Sequence, residues 1–225
     1  MLKLFITATD TDAGKTYAAQ ALVHALVANN RKVAVFKPIS AGCERVDNNL
    51  VNEDAVLLLL QSNCQQSLTQ VNPITFEQPI APHIAAAKLQ QTINLTDIER
   101  SYNEITALNT DVIICEGAGG WRLPLGQGKF LSEFVQASRQ HVVLVVNMKL
   151  GCLNHAVLTY QSIIADGLNC LGWIANCPAD MPYLAENIIE LTRLLPIPKL
   201  AELPFELDIN KAAQRIDISS LIQLL

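Results

Sequence analysis

The sequence predicts a single α/β domain, residues 1–225, built on a mostly parallel sheet with helices on both faces. Three observations predict it. Short apolar runs rich in valine and isoleucine alternate with longer runs of helical spacing, and strands that are apolar throughout belong in a sheet covered on both sides. Half of the 225 residues are hydrophobic and 16% are charged, which is enough apolar material for a sizeable core. Polar residues interrupt the apolar pattern at the ends of the strand-like runs, where open parallel sheets bind ligands.

The first strand is Leu4-Phe5-Ile6, and a helical run starts at Tyr17 with no proline before Pro38. Between them lies a loop of small residues that closes on Gly14-Lys15-Thr16. Strand, loop and helix in this order make the setting of a phosphate-binding loop, because free N–H groups and the helix dipole converge on an anion there. Lys15, read as an exposed loop lysine, would reach the outer phosphates, and the Thr16 hydroxyl would hold Mg²⁺. The strict pattern has glycine where Thr9 stands, so an ordinary turn at Gly14 with a solvated Lys15 stays open as a second reading.

Val33-Ala34-Val35-Phe36 is the second strand and ends at Lys37-Pro38. Residues 49–60 read as a helix with Asp54 in its first turns. Residues 63–83 are polar, contain Pro73, Pro79 and Pro82, and read as a long irregular segment of the kind that is usually functional. A helix follows over about 95–108, with Thr96 as N-cap and Glu99 three residues on. Val112-Ile113-Ile114-Cys115 is a buried strand running into Glu116-Gly117-Ala118-Gly119-Gly120. Residues 130–137 are helical, Val142-Val143-Leu144-Val145-Val146 is a strand, and residues 154–165 are helical. Leu171-Gly172-Trp173-Ile174-Ala175 is a strand ending at Asn176. A helix over 181–195, a strand over 199–203 and a terminal helix over 216–225 complete the chain.

Lys37, Glu116, Asn147 with Lys149, and Asn176 therefore share one sheet edge with the phosphate loop. Thr16, Asp54 and Glu116 supply the hard oxygens that Mg²⁺ prefers, and Glu116, directly after a buried strand, is the stronger of the two carboxylates. Asp54 has two readings, a metal ligand or a solvated helix residue. Lys37 adds a second lysine near one phosphate chain, which suits a site handling a phosphate and a second anion. Asn176 has the amide needed to pair with adenine, or is a strand-end turn residue. The stretch from Lys149 to His155 turns into a helix whose free N–H groups could bind a carboxylate; the plainer reading is a turn with Gly151 and an Asn154 N-cap.

Net charge −5 and a pI near 5.3 argue against a nucleic-acid partner. Six cysteines show neither Cys-x-x-Cys pairing nor zinc spacing, and no apolar stretch is long enough to cross a membrane, so a reduced cytoplasm is the expected compartment.

Taken together, Thr9 to Thr16, Lys37-Pro38-Ile39-Ser40-Ala41-Gly42, Asn72-Pro73-Ile74-Thr75-Phe76 with Pro79 and Pro82-His83, Glu116 to Trp121, Lys149 to His155 and Gly172 to Asn176 resemble the dethiobiotin synthetase family of the P-loop NTPase superfamily. The motifs stand in family order over residues 6 to about 206. The resemblance implies a homodimeric ligase that uses ATP and Mg²⁺, carboxylates 7,8-diaminopelargonic acid with CO2, phosphorylates the carbamate and closes the ureido ring. It implies that Asp12, Ala13, Gly14, Lys15 and Thr16, then Glu116, Gly117, Ala118 and Gly119, bind nucleotide, with Thr16, Asp54 and Glu116 on the metal. Lys37 and Lys15 would be catalytic; Asn176, Cys177, Pro204, Phe205 and Glu206 would line the nucleotide base site. Lys37, Ala41, Gly151, Cys152, Leu153 and Asn154 would meet the substrate, its carboxylate across the dimer interface. Two residues depart from the family pattern: Ala8 replaces a glycine and Ala41 a serine. A regulatory ATPase of the partition or septum-positioning type is the rival, but those switches carry an extra lysine early in the loop, and residues 8–12 have none.

Overall fold

The computed structural model describes residues 1–204 and 208–224. Six strands form the central sheet: β1 (Leu2–Ala8), β2 (Val33–Phe36), β3 (Val112–Glu116), β4 (His141–Asn147), β5 (Cys170–Cys177) and β6 (Lys199–Pro204). All pair in parallel, in the order β6-β5-β4-β1-β3-β2. Every predicted strand of the sheet is present. Because all six run the same way, their carboxyl ends share one edge. After β1 the chain crosses toward β2, and after β3 it crosses toward β4, so the order reverses at this adjacent pair. The loops leaving β1 and β3 flank the crevice where open α/β sheets hold ligands.

The helices are α1 (Lys15–Ala28), α2 (Glu53–Gln61), α3 (Pro82–Lys88), α4 (Leu95–Thr106), α5 (Leu131–Ala137), α6 (Cys152–Ala165), α7 (Leu184–Leu194) and α8 (Ile209–Gln214), with single turns at Leu68–Val71 and Ser219–Ile222. Strand side chains alternate between faces, and both faces are apolar. Leu4, Ile6, Val35, Ile114 and Val145 pack on one side with Leu22 and Leu26 of α1 and Ala212 of α8. Phe5, Phe36, Cys115, Leu144 and Val146 pack on the other with Tyr102 of α4, Phe134 of α5, Ile163 of α6 and Ile188 of α7. There the Tyr102 ring stands 5.4 Å from Phe36 and 5.2 Å from Phe134, each pair contributing about 0.5–1.5 kcal/mol beyond its burial.

The polar stretch after α2 has a structural task that its composition concealed. β2 is an edge strand, and side chains complete its ladder. Asn63 Oδ1 accepts from the Val33 N–H at 2.8 Å, and Ser62 Oγ donates to the Val33 carbonyl at 2.8 Å. The Gln66 amide both accepts from the Val35 N–H and donates to the Val35 carbonyl, each at 2.9 Å. The segment read as irregular also holds the turn Leu68–Val71, a two-residue parallel pairing of Ile74–Thr75 with Ile39–Ser40, and the first residues of α3, where Pro82 suits the N-terminal turn.

Other boundaries move for local reasons. The helix expected over 49–60 starts at Glu53, because Asn52 caps it by accepting from the Ala55 N–H at 3.3 Å. Residues before it form a hairpin, Glu44–Val46 against Asn49–Val51, with Asp47 and Asn48 both at positive φ as a two-residue turn requires. Asn94, not Thr96, holds the N-cap position of α4. The helix expected over 181–195 is Leu184–Leu194, and a second antiparallel ribbon pairs Pro124–Gly126 with Lys129–Phe130. The terminal helix expected over 216–225 is broken: Asp217 donates its N–H to Leu200 and its side chain accepts from the Ser219 N–H, so one turn begins only at Ser219.

Candidate active site

The loop after β1 turns into α1 through Gly14, whose φ is +82°. A Cβ there would sit 2.2 Å from the Asn176 amide nitrogen, so glycine is required on both counts. Asn176, at the end of β5, is buried behind the loop and donates from Nδ2 to the Ala13 carbonyl at 3.0 Å. Other strand ends brace the same loop. Thr9 donates its N–H to Val145 at 3.0 Å, and its hydroxyl accepts from the Asn147 N–H at 3.3 Å. Lys149 forms a 2.8 Å ion pair with Asp10, whose carboxyl is held below its ordinary range by that hydrogen bond against a partial burial cost. This brace draws on the ends of β4 and β5 together.

The predicted lysines and carboxylates converge. Glu116 ends β3 with no exposed surface, and its Oε1 accepts from the Lys37 ammonium at 2.6 Å and from the Thr16 hydroxyl at 2.8 Å. Asp54 Oδ2 lies 3.1 Å from the same ammonium. Burial alone would lower the Lys37 pKa, but the Glu116 and Asp54 carboxylates outweigh it and hold the group above its ordinary value, so it stays cationic. Burial likewise works to raise the Asp54 carboxyl, and Lys37 and Thr16 bring it below its usual range. Glu116 Oε2 is buried with no hydrogen-bond partner among the described residues.

Lys15 departs from expectation: it is 7% exposed rather than a solvated loop residue. Its ammonium donates to the Asp10 carbonyl at 3.3 Å, and burial depresses its pKa, with Lys37 adding to the effect and Glu116 opposing it. The loop folds over its own lysine, which local sequence gives no way to see.

A cavity of about 860 Å³ collects these groups. Asp12, Gly14, Lys15, Thr16, Lys37, Ala41, Asp54, Glu116, Gly117, Ala118 and Gly119 all line it. Thr11, Ser40, Asn52, Glu53, Pro79 and Pro82 line it too, without having been assigned a role from sequence. The two prolines punctuated the polar stretch and were the available signal for its wall.

The remaining predicted residues sit around rather than in this cavity. Cys177 pairs with Pro204 across β5 and β6, and the Pro204 carbonyl accepts from the Tyr17 hydroxyl at 3.3 Å, bringing both strand ends to the first turn of α1. Burial, with Glu202 nearby, pushes the Cys177 thiol up to about 11, so it is no nucleophile at neutral pH. Phe205 and Glu206 lie outside the described residues. Gly151, at φ +93°, occupies the N-cap position of α6, so Asn154 lies inside the first turn instead of capping it. Cys152 is buried, while Gly151 and Asn154 are exposed beside the Lys149–Asp10 pair. A second hollow of about 430 Å³ lies between α7 and β6, and none of the predicted site residues lines it.

Comparison with known proteins places this geometry in context. A family model described as an AAA domain matches residues 2–213. The ATP-dependent dethiobiotin synthetase BioD of Idiomarina loihiensis is 46% identical over 203 residues, covering 89% of this chain and 91% of its own. The same enzyme of Aeromonas salmonicida is 43% identical over 224 residues, covering 97% and 98%. Among solved structures, the MinD cell division protein of Aquifex aeolicus superposes with a TM-score of 0.60 over 100% of this chain and 96% of its own, at 16% identity. That likeness is one of fold alone.

Proposed function

This chain belongs to the ATP-dependent dethiobiotin synthetase family, and from that premise we propose that it makes dethiobiotin from 7,8-diaminopelargonic acid, CO2 and ATP, with the residues of the cavity as its machinery. The observation that carries the reading is the buried Lys37 ammonium, held on Glu116 and Asp54 and facing the same cavity as Lys15 and the phosphate loop. One amine of the substrate adds CO2 to form a carbamate. A carbamate oxygen attacks the terminal phosphorus of ATP and ADP leaves, giving a carbamic-phosphoric anhydride. The second amine then attacks the carbonyl carbon, phosphate departs, and the ring closes.

Lys15 and the N–H groups at the start of α1 hold the phosphates, and Asp12, Ala13 and Gly14 shape the loop around them. Lys37 serves the carbamate oxygen and the transferring phosphoryl group, where negative charge builds up. Mg²⁺, when bound, would neutralise phosphate charge. The donor set suits it: the Thr16 hydroxyl and the carboxylates of Asp54 and Glu116 are hard oxygens, and the buried Glu116 Oε2, without a partner among the described residues, has lone pairs to offer a cation. Gly117, Ala118 and Gly119 line the cavity beside Glu116. The adenine belongs at the ends of β5 and β6, near Asn176, Cys177 and Pro204. Ala41 lines the substrate side without a hydroxyl to offer.

The assay that tests this supplies ATP, Mg²⁺, bicarbonate and diaminopelargonate and detects dethiobiotin by mass. ADP and dethiobiotin are expected in equal amounts, with little ATP hydrolysis when the diamine is omitted. Brisk hydrolysis without the diamine, and no dethiobiotin with it, would overturn the reading in favour of a nucleotide switch.

The substrate carboxylate binds at Gly151 to Asn154 of one subunit while the nucleotide sits in the other. Leu150 is 95% exposed and Leu158 of α6 57%, an apolar surface that a second subunit would cover. Neither Lys15→Ala nor an Asn154-disabled chain alone should turn over well, yet mixing them should restore part of the activity through hybrid dimers. A protein that light scattering shows to be monomeric at full activity would rule out the shared site.

A further inference from the structure

Asn72 belongs to a motif that the chemistry above leaves unused. We propose that Asn72 is a positioning residue that fixes Lys37 for phosphoryl transfer, a role that rests on the assignment of Lys37 made above. Lys37 lies one residue beyond the end of β2, outside the ladder of the sheet, and Pro38 after it has no N–H to give. Its backbone is held instead from the segment that covers the edge strand. The Lys37 N–H donates to the Val71 carbonyl at 2.8 Å, and the Lys37 carbonyl accepts from Asn72 Nδ2 at 2.7 Å.

Asn72 is itself fixed on two sides. Its Oδ1 accepts from the Ser40 hydroxyl at 2.7 Å, and its own N–H donates to the Leu68 carbonyl at 2.8 Å. Lys37, Ser40 and Asn72 are all buried, 2–5% exposed, so water is not at hand to replace either side-chain bond. One primary amide thus ties together the peptide of Lys37 and the segment leading to Ala41 on the cavity wall. A lysine side chain has four rotatable bonds, and its ammonium meets Glu116 and Asp54 together only if the backbone it springs from is held in place. A primary amide carries donor and acceptor on separate atoms, so Nδ2 reaches the Lys37 carbonyl while Oδ1 receives the Ser40 hydroxyl, which suits asparagine to this position.

The test is a double-mutant cycle on the full chain, read as kcat for dethiobiotin formation. Asn72→Ala should lower kcat by on the order of 10²-fold, the scale of a misplaced catalytic group, with a much smaller change in KM for ATP. In a Lys37→Gln background the same substitution should change kcat by no more than about 2-fold, because the group it positions is already gone. Ser40→Ala removes one bond and leaves the amide in place, so a loss of about 3- to 10-fold is expected, again absent in the Lys37→Gln background. If Asn72→Ala does not fold, the Ser40→Ala cycle decides alone. Equal losses with and without Lys37 would mean a merely structural asparagine and overturn the proposal. A Lys37→Gln enzyme that works at the parent rate would overturn the assignment of Lys37 itself, and the proposal with it.

Discussion

Replacing Lys37 with glutamine lowers kcat for dethiobiotin formation by about 10²–10³-fold while affecting ATP binding far less. The asymmetry follows from where the lysine stands. Lys15 is wrapped by the phosphate loop, whereas Lys37 comes from β2 and approaches from the carboxylate side, on Glu116 and Asp54. Its charge is worth most when a carbamate oxygen closes on phosphorus and negative charge accumulates, and a neutral amide of similar length supplies a donor but no charge. The substitution also leaves Glu116, which has no exposed surface, without its cation. Breaking a fully buried pair costs about 3–5 kcal/mol, and the Thr16 hydroxyl that Glu116 retains offsets part of that, so melting temperature should fall as well. Kinetics measured well below the melting transition separate the two effects. A variant as fast as the parent would exclude Lys37 from the reacting centre.

Lys15→Ala should cost still more, on the order of 10³ in kcat/KM for ATP, with both kcat and KM affected. The ammonium is buried and, among the described residues, donates a single long 3.3 Å bond to the Asp10 carbonyl, and burial already works against its charge. Removing it therefore asks little of the fold. What is lost is the one cation carried by the phosphate loop itself, so that within the loop only N–H groups would remain to hold the phosphates. Circular dichroism and thermal melting should resemble those of the parent, and nucleotide titration should show weakened binding. Full turnover in Lys15→Ala would remove the phosphate-loop assignment, whatever the fold.

The two experiments differ in what they ask of the sequence. Lys15 is legible from its neighbours, because Gly14-Lys15-Thr16 between an apolar run and a helical run has a local meaning. Lys37 is legible only as the residue after a strand, and its partners are 17 and 79 positions away, which the pairing of β2 with β3 and the cap at Asn52 bring within reach. The ordered set of motifs carried the family from sequence. The polar stretch after α2 did not read correctly, since its amides are spent on the backbone of β2 rather than on solvent. Hydrophobic periodicity cannot register that use. The same blindness hid the burial of Lys15 and the cap at Gly151, both made by how a loop closes on itself.

The sequence by itself determined the six strands, helices α1, α2, α4, α5, α6 and α7, and the small-residue loop between β1 and α1, because apolar patterning acts between near neighbours, whereas α3, opening at a proline of the polar stretch, and the six-residue α8 escaped it. It also determined which residue types stand at the strand ends. Only the tertiary structure decided that Thr16, Lys37, Asp54 and Glu116 meet within hydrogen-bond distance, that Asn176 backs Gly14, and that Asn72 holds the peptide of Lys37. The physical reason is one of range. Local sequence sets φ, ψ and which face is apolar, whereas a buried charge or amide is stable only where distant segments supply its partners, and the order in which parallel strands assemble selects those partners.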